Sequence, residues 1–128
     1  MEALMRGVLI WMIATTFLLR GGILGEAYQA PPPVLDVGLV SLTSPVASGD
    51  DASLTVRTAP TARCHITVHY KSGPSKAKGL VSKLADMQGQ VSWTWRVGSR
   101  TTPGAWPIVV TCSHAGLEGT LQTRFVVR

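Results

Sequence analysis

The side chains with the most chemical potential in this sequence are crowded into residues 64–83. They are Cys64, His65 and His69, followed by Lys71, Lys76, Lys78 and Lys83. A zinc reading would use His65 and His69, with His114 as a third ligand. On a strand the first two share a face but stand about 13 Å apart, at roughly 3.3 Å per residue. Zinc–nitrogen bonds are about 2 Å, so the two cannot hold one ion. A helix would bring them together, but Thr67, Val68 and the alternation around them oppose a helix. "GPSKAKGL" has glycines and lysines without the G-x-x-x-x-G-K-[ST] spacing of a phosphate-binding loop. The four lysines still gather on one connection. They form either a solvated loop or a basic loop that contacts phosphate or sulfate without reading sequence. Elsewhere, Asp50 and Asp51 adjoin in a turn, and Ser113-His114 lacks the strained elbow of a nucleophilic serine. No catalytic set stands out, so enzymatic activity is not expected, nor is a metal or other cofactor.

The amino terminus says where such a chain would work. In "MEALMRGVLIWMIATTFLL", Arg6 precedes an apolar run from Gly7 to Leu19, the pattern of a secretory signal. Thirteen helical residues reach about 20 Å, short of the ~30 Å of a bilayer core. "GEA", ending at Ala27, offers small residues at both positions a signal peptidase reads. If Gly21 to Leu24 also embed and Arg20 snorkels, the segment is a retained anchor instead. Residues 1–27 are therefore expected to be a signal peptide or signal-anchor helix, the membrane being touched only through this segment if it is uncleaved. The rest is expected to be secreted or held at the cell surface.

The charge beyond this segment is basic. Twelve Lys/Arg face seven Asp/Glu in the whole chain, and Glu2, Arg6, Arg20 and Glu26 cancel, so the part from Pro31 onward keeps the net +5. Outside a cell, moderate basicity suits acidic polymers, acidic surfaces or plain solubility.

Residues 28–40 read as a Pro-rich linker, "QAPPP", and the start of a first strand. Period-two alternation then takes over, broken by Gly, Pro, Ser and Asp. Seven strands are expected, over 35–42, 52–58, 63–70, 79–84, 90–97, 105–113 and 120–127. The fourth could also be a turn of helix. Seven short strands in this length predict an all-β, antiparallel two-sheet sandwich over 41–128. Alternation assigns the inner faces. Leu54 and Val56 share one, Val91, Trp93, Trp95 and Val97 another, and Leu121, Phe125 and Val127 a third. Trp93, Trp95, Trp106 and Phe125 are the expected core aromatics. The sharper reading of the Trp93/Trp95 pair is a carbohydrate-stacking platform, which requires their face to meet solvent.

Cys64 and Cys112 are the two cysteines of a chain expected to be exported, so they are expected to be bonded. Their flanks agree on a register. With the two strands antiparallel and Cys64 opposite Cys112, Ile66 meets Val110, Val68 meets Ile108 and Tyr70 meets Trp106. A one-residue slip would turn one set away from the core. The Cα atoms are expected at roughly 4.4–6.8 Å.

"TTPGAWPIVVTC" resembles the penultimate strand of bacterial extracellular immunoglobulin-like modules, where a Pro-Gly turn precedes an alternating strand. "ADMQGQVSWTW" is similar to the Asp-x-x-Gly turn leading into their preceding strand. The likeness covers residues 41–127. It departs from antibody domains: Trp93 lies far from the first cysteine, and Val110, not Tyr, stands two before the second. The resemblance implies an Ig-like stalk, spacer, adhesion or binding module at a bacterial surface, and it transfers no catalytic residue. The alternative role is a binding module for an anionic polymer or glycan, whether cell-wall polymer, acidic polysaccharide or nucleic acid, through the basic loop. Another surface protein is the remaining partner class, and no specific nucleic-acid readout is expected.

Overall fold

The structure, a computed structural model, describes residues 33–128. The expected signal or anchor over 1–27 lies outside the described residues. Eight strands occur among them, and no helix: β1 (Gly38–Leu42), β2 (Asp51–Arg57), β3 (Arg63–Tyr70), β4 (Gly73–Pro74), β5 (Lys83–Leu84), β6 (Gln90–Arg96), β7 (Gly104–His114) and β8 (Leu117–Val127). They form two antiparallel sheets, β1-β2-β6 and β4-β3-β7-β8, with β5 also on β3.

Alternation builds the core as read. Leu54 and Val56 of β2, Val91, Trp93 and Trp95 of β6, and Val97 just beyond are buried, while Ser92, Thr94 and Arg96 face water. The opposite sheet contributes Ile66, Val68, Ile108, Val110, Phe125 and Val127. The sheets meet where Trp95 packs edge-on against Phe125, centroids 5.7 Å apart. Trp93 is 0% and Trp95 1% exposed, which excludes the stacking-platform reading for both. Each such burial stabilises by roughly 2–3 kcal/mol on area grounds. Their indole donors are satisfied, Trp93 Nε1 on Val81 O at 2.8 Å and Trp95 Nε1 on the Tyr70 hydroxyl at 3.4 Å.

The β3–β7 register is the expected one: Cys64 opposite Cys112, Ile66 opposite Val110, Val68 opposite Ile108. Cys64 and Cys112 are bonded, and both are fully buried. Their Cα atoms are 4.0 Å apart, closer than the expected window. The bond crosses directly between facing rungs of one ladder, where strand pairing already draws the backbones together. The ladder ends at Val68–Ile108, two residue pairs before the expected Tyr70–Trp106 pair. Pro107 offers no N–H for another rung. The two rings still meet edge-on at 6.3 Å. Trp106 is half-buried rather than a full core residue, because its Nε1 turns outward to Thr102 O at 2.8 Å.

The strand boundaries differ where tertiary contacts compete with alternation. The first strand starts at Gly38, not 35. Leu35 instead donates its N–H to Glu118 O, at the edge of β8. The expected fourth strand shrinks to Lys83–Leu84. Gly79, at φ +96°, turns the chain against the Thr94 carbonyl, where a Cβ would collide. Val81 O then receives the Trp93 indole and Lys83 Nζ donates to Ser92 O at 2.7 Å. This segment therefore lies along the free edge of β6, the kind of cover that protects an exposed edge strand. The Asp-x-x-Gly turn works as its motif suggests. Asp86 Oδ1 accepts the N–H groups of Gln88 and Gln90, both at 2.9 Å, and Gly89 sits at φ +81° against Thr58 O.

Candidate functional site: a groove between two turns

Two tight turns shape the best-formed groove. Tyr70 pairs with Gly73, so Lys71 and Ser72 are the tip of a two-residue hairpin between β3 and β4. Neither tip residue takes a positive φ; the left-handed backbone falls on Gly73 just after them, at φ +120°, a position open to glycine. The second turn follows β6. Thr101 N donates to Gly98 O at 3.0 Å, which leaves Ser99 and Arg100 at its apex. The Trp106 indole pins the next residue through Thr102 O. Between the turns lies a groove of about 590 Å³ lined by Tyr70, Lys71, Ser72, Gly98, Arg100, Thr101 and Thr102.

Its chemistry is cationic and hydroxylic. Lys71 and Arg100 are exposed, and no carboxylate lines the groove. Ser72, Thr101 and Thr102 each carry a hydroxyl that can donate or accept. Burial pushes the Tyr70 phenol above its ordinary pKa, opposed in part by the Trp95 indole hydrogen bond. Its ring packs against Trp106, near-perpendicular, and against Phe125, tilted at 6.1 Å.

The four lysines that are neighbours in sequence do not all reach this groove. Lys71 lines it. Lys78 lines a separate groove of about 510 Å³ with Asp51, Thr94, Trp95 and Arg96, where Arg96 Nε holds Asp51 Oδ1 at 3.0 Å. Lys83 is spent on Ser92 O along β6, and Lys76 is exposed between them. Arg100, which stands with Lys71, lies in "GSRTTPG", a stretch that the sequence presents only as a strand breaker. His65 and His69 lie on the outward side of β3, Ser113 and His114 are exposed at the end of β7, and Asp50 is exposed. Among the described residues, no three His, Cys, Asp or Glu side chains group closely enough to hold a metal ion.

Fold and site together define an all-β module of two antiparallel sheets, stapled by one buried disulfide and carrying a cationic groove between two of its turns. No protein-family model matches the chain, and no curated protein is similar to it in sequence. Similar solved structures include two at low identity. One is chitinase ChiW from Paenibacillus sp. str. FPU-7, described as a bacterial cell-surface-expressed multi-modular enzyme machinery, at 15% identity and TM-score 0.48. The match covers 77% of this chain and only 9% of the chitinase. The other is a conjugate transposon protein from Bacteroides vulgatus, at 10% identity and TM-score 0.45, covering 77% of this chain and 88% of that one.

Proposed function

We propose that this chain is an exported, non-enzymatic Ig-like module that serves as a structural, spacer or adhesion domain at the bacterial cell surface. The observation that carries the proposal is the buried Cys64–Cys112 bond. Such bonds persist in oxidising compartments and are rare where thiols are kept reduced. The strand order supports the Ig-like reading. β1-β2-β6 facing β4-β3-β7-β8 corresponds to strands A-B-E facing C′-C-F-G of that fold. The disulfide differs from the antibody one, since it joins C and F within a sheet.

The test is expression of the full chain in a bacterial host, with its location, thiol state and mature N-terminus determined. A bonded protein beginning near Tyr28 supports export with cleavage, and an intact, bonded chain extracted from the membrane supports the anchor. Intact soluble cytoplasmic protein with free thiols overturns the proposal. A second reading, the anionic-polymer binding module, is favoured by the meeting of Lys71 and Arg100 in one groove without a lining carboxylate.

A further inference from the structure

We infer that the groove between the Lys71–Ser72 hairpin tip and the Gly98–Thr101 turn binds an acidic saccharide, with Lys71 and Arg100 holding its carboxylate or sulfate groups; this rests on the anionic-polymer reading. Two cations reach the groove from different connections, one after β3 and one after β6. A cleft lined by one sign of charge focuses its field and attracts the opposite charge. Arg100 can grip a planar anion with two parallel N–H bonds, and Lys71 adds a mobile point charge.

The groove is also held open in advance. The hairpin tip has no spare residue, the second turn is closed by its own backbone bond, and Trp106 fastens Thr102 from behind. Preformed binding loops lose little entropy when a ligand seats.

The remaining lining selects sugar over nucleic acid. Ser72, Thr101 and Thr102 supply the mixed donor and acceptor groups that sugar hydroxyls require. Single-stranded nucleic acid would need an open aromatic face for its bases. Tyr70 is the one aromatic lining the groove, and Trp106 and Phe125 already pack on its ring. Its partly desolvated hydroxyl accepts the Trp95 indole hydrogen bond, so Tyr70 brings no charge to the groove.

The test uses the full, disulfide-bonded chain and calorimetric titration with four probes: an oligogalacturonate, a heparin-derived oligosaccharide, a neutral oligosaccharide of equal length, and polyphosphate. One or both acidic oligosaccharides should bind; binding of oligogalacturonate shows that carboxylates suffice, and binding of the heparin fragment alone shows that sulfate is required. The neutral sugar and polyphosphate should each bind at least about tenfold more weakly at equal salt. Arg100→Ala and Lys71→Ala should each weaken acidic-sugar binding about tenfold, whereas Lys76→Ala with Lys78→Ala should change it less than about twofold. Thr101→Val, which keeps shape but removes a hydroxyl, should weaken the sugar several-fold and leave residual polyphosphate binding unchanged. Polyphosphate binding as tight as the sugar would overturn the inference. So would equal losses in the groove and Lys76/Lys78 variants, although the anionic-polymer reading would then survive with a different site. Absence of binding to all three anionic probes would overturn both.

Discussion

Removing the Cys64–Cys112 bond tests the physical basis of the fold most directly. The bond closes a sequence separation of 48 residues. Loop-closure entropy for that length amounts to about 4 kcal/mol at 25 °C. Both cysteines are fully buried, so Cys64→Ala with Cys112→Ala also leaves a small unfilled space between Ile66, Val110 and their neighbours. A domain of this size has roughly 5–14 kcal/mol of total stability, so the loss is a large fraction of it. Urea unfolding followed by tryptophan fluorescence reads the effect, since buried Trp93 and Trp95 become wet on unfolding. At a urea slope of about 2 kcal/mol/M, the midpoint should fall by roughly 2 M. The native chain unfolded with and without reductant should show a shift of the same size, which covers the case of a variant that does not fold. A shift below about 0.5 M in both measurements would refute the reasoning, because the unfolded chain would then gain little freedom when the bond is cut.

Two further perturbations address the local structure. Gly49 and Gly79 occupy the same region of backbone space, at φ +92° and +96°, but nothing lies within 4 Å of an added Cβ at Gly49, whereas one at Gly79 meets Thr94 O. Gly49→Ala should therefore cost about 1–2 kcal/mol of backbone strain and Gly79→Ala clearly more; equal urea midpoints would disprove the packing of this segment on β6. Tyr70 has its pKa raised above 10.0 by burial, so its contribution is fully present below pH 10.0 and is lost as pH rises through the folded value. The stability difference between native protein and Tyr70→Phe should be flat up to that pH and then shift against the native protein; a pH-independent difference into the strongly alkaline range would contradict the assignment.

Much of the core was readable because it depends on period-two alternation alone. Ile66, Val68, Ile108 and Val110 must share a face once Cys64 faces Cys112, and any slip exposes half of them. Trp93 and Trp95 follow from the same rule. The misread boundaries lie where one residue's backbone chooses between sheets. Leu35 has a strand-like pattern, yet it bonds to Glu118 of β8 and not to β2. β8 begins at Leu117, before its expected start, because Ala115 and Gly116 take φ +52° and +79° and close a two-residue hairpin. Such a turn fits the strand twist closely, but alanine is an uncommon occupant of it, so "SHAGLEG" gave no sign of a hairpin that tight.

The groove was illegible for a different reason. Sequence proximity suggested that Lys71, Lys76, Lys78 and Lys83 act together, but the connection that carries them crosses from β3 to the edge of β6. A chain that crosses a sandwich spreads its side chains over different surfaces. Lys71 stays at the hairpin tip, Lys78 reaches the side of Thr94 and Trp95, and Lys83 is fixed to the β6 backbone. Arg100 is far from Lys71 in sequence but near it in space, because β3 and β6 both run toward the same rim of the two sheets and each ends there in a turn. Convergence of this kind is set by strand order and direction, which alternation does not encode. Of the lysine run, Lys71 is therefore the one that shares this rim with Arg100, while Lys78 stands with Arg96 in a separate groove and Lys83 holds the edge of β6.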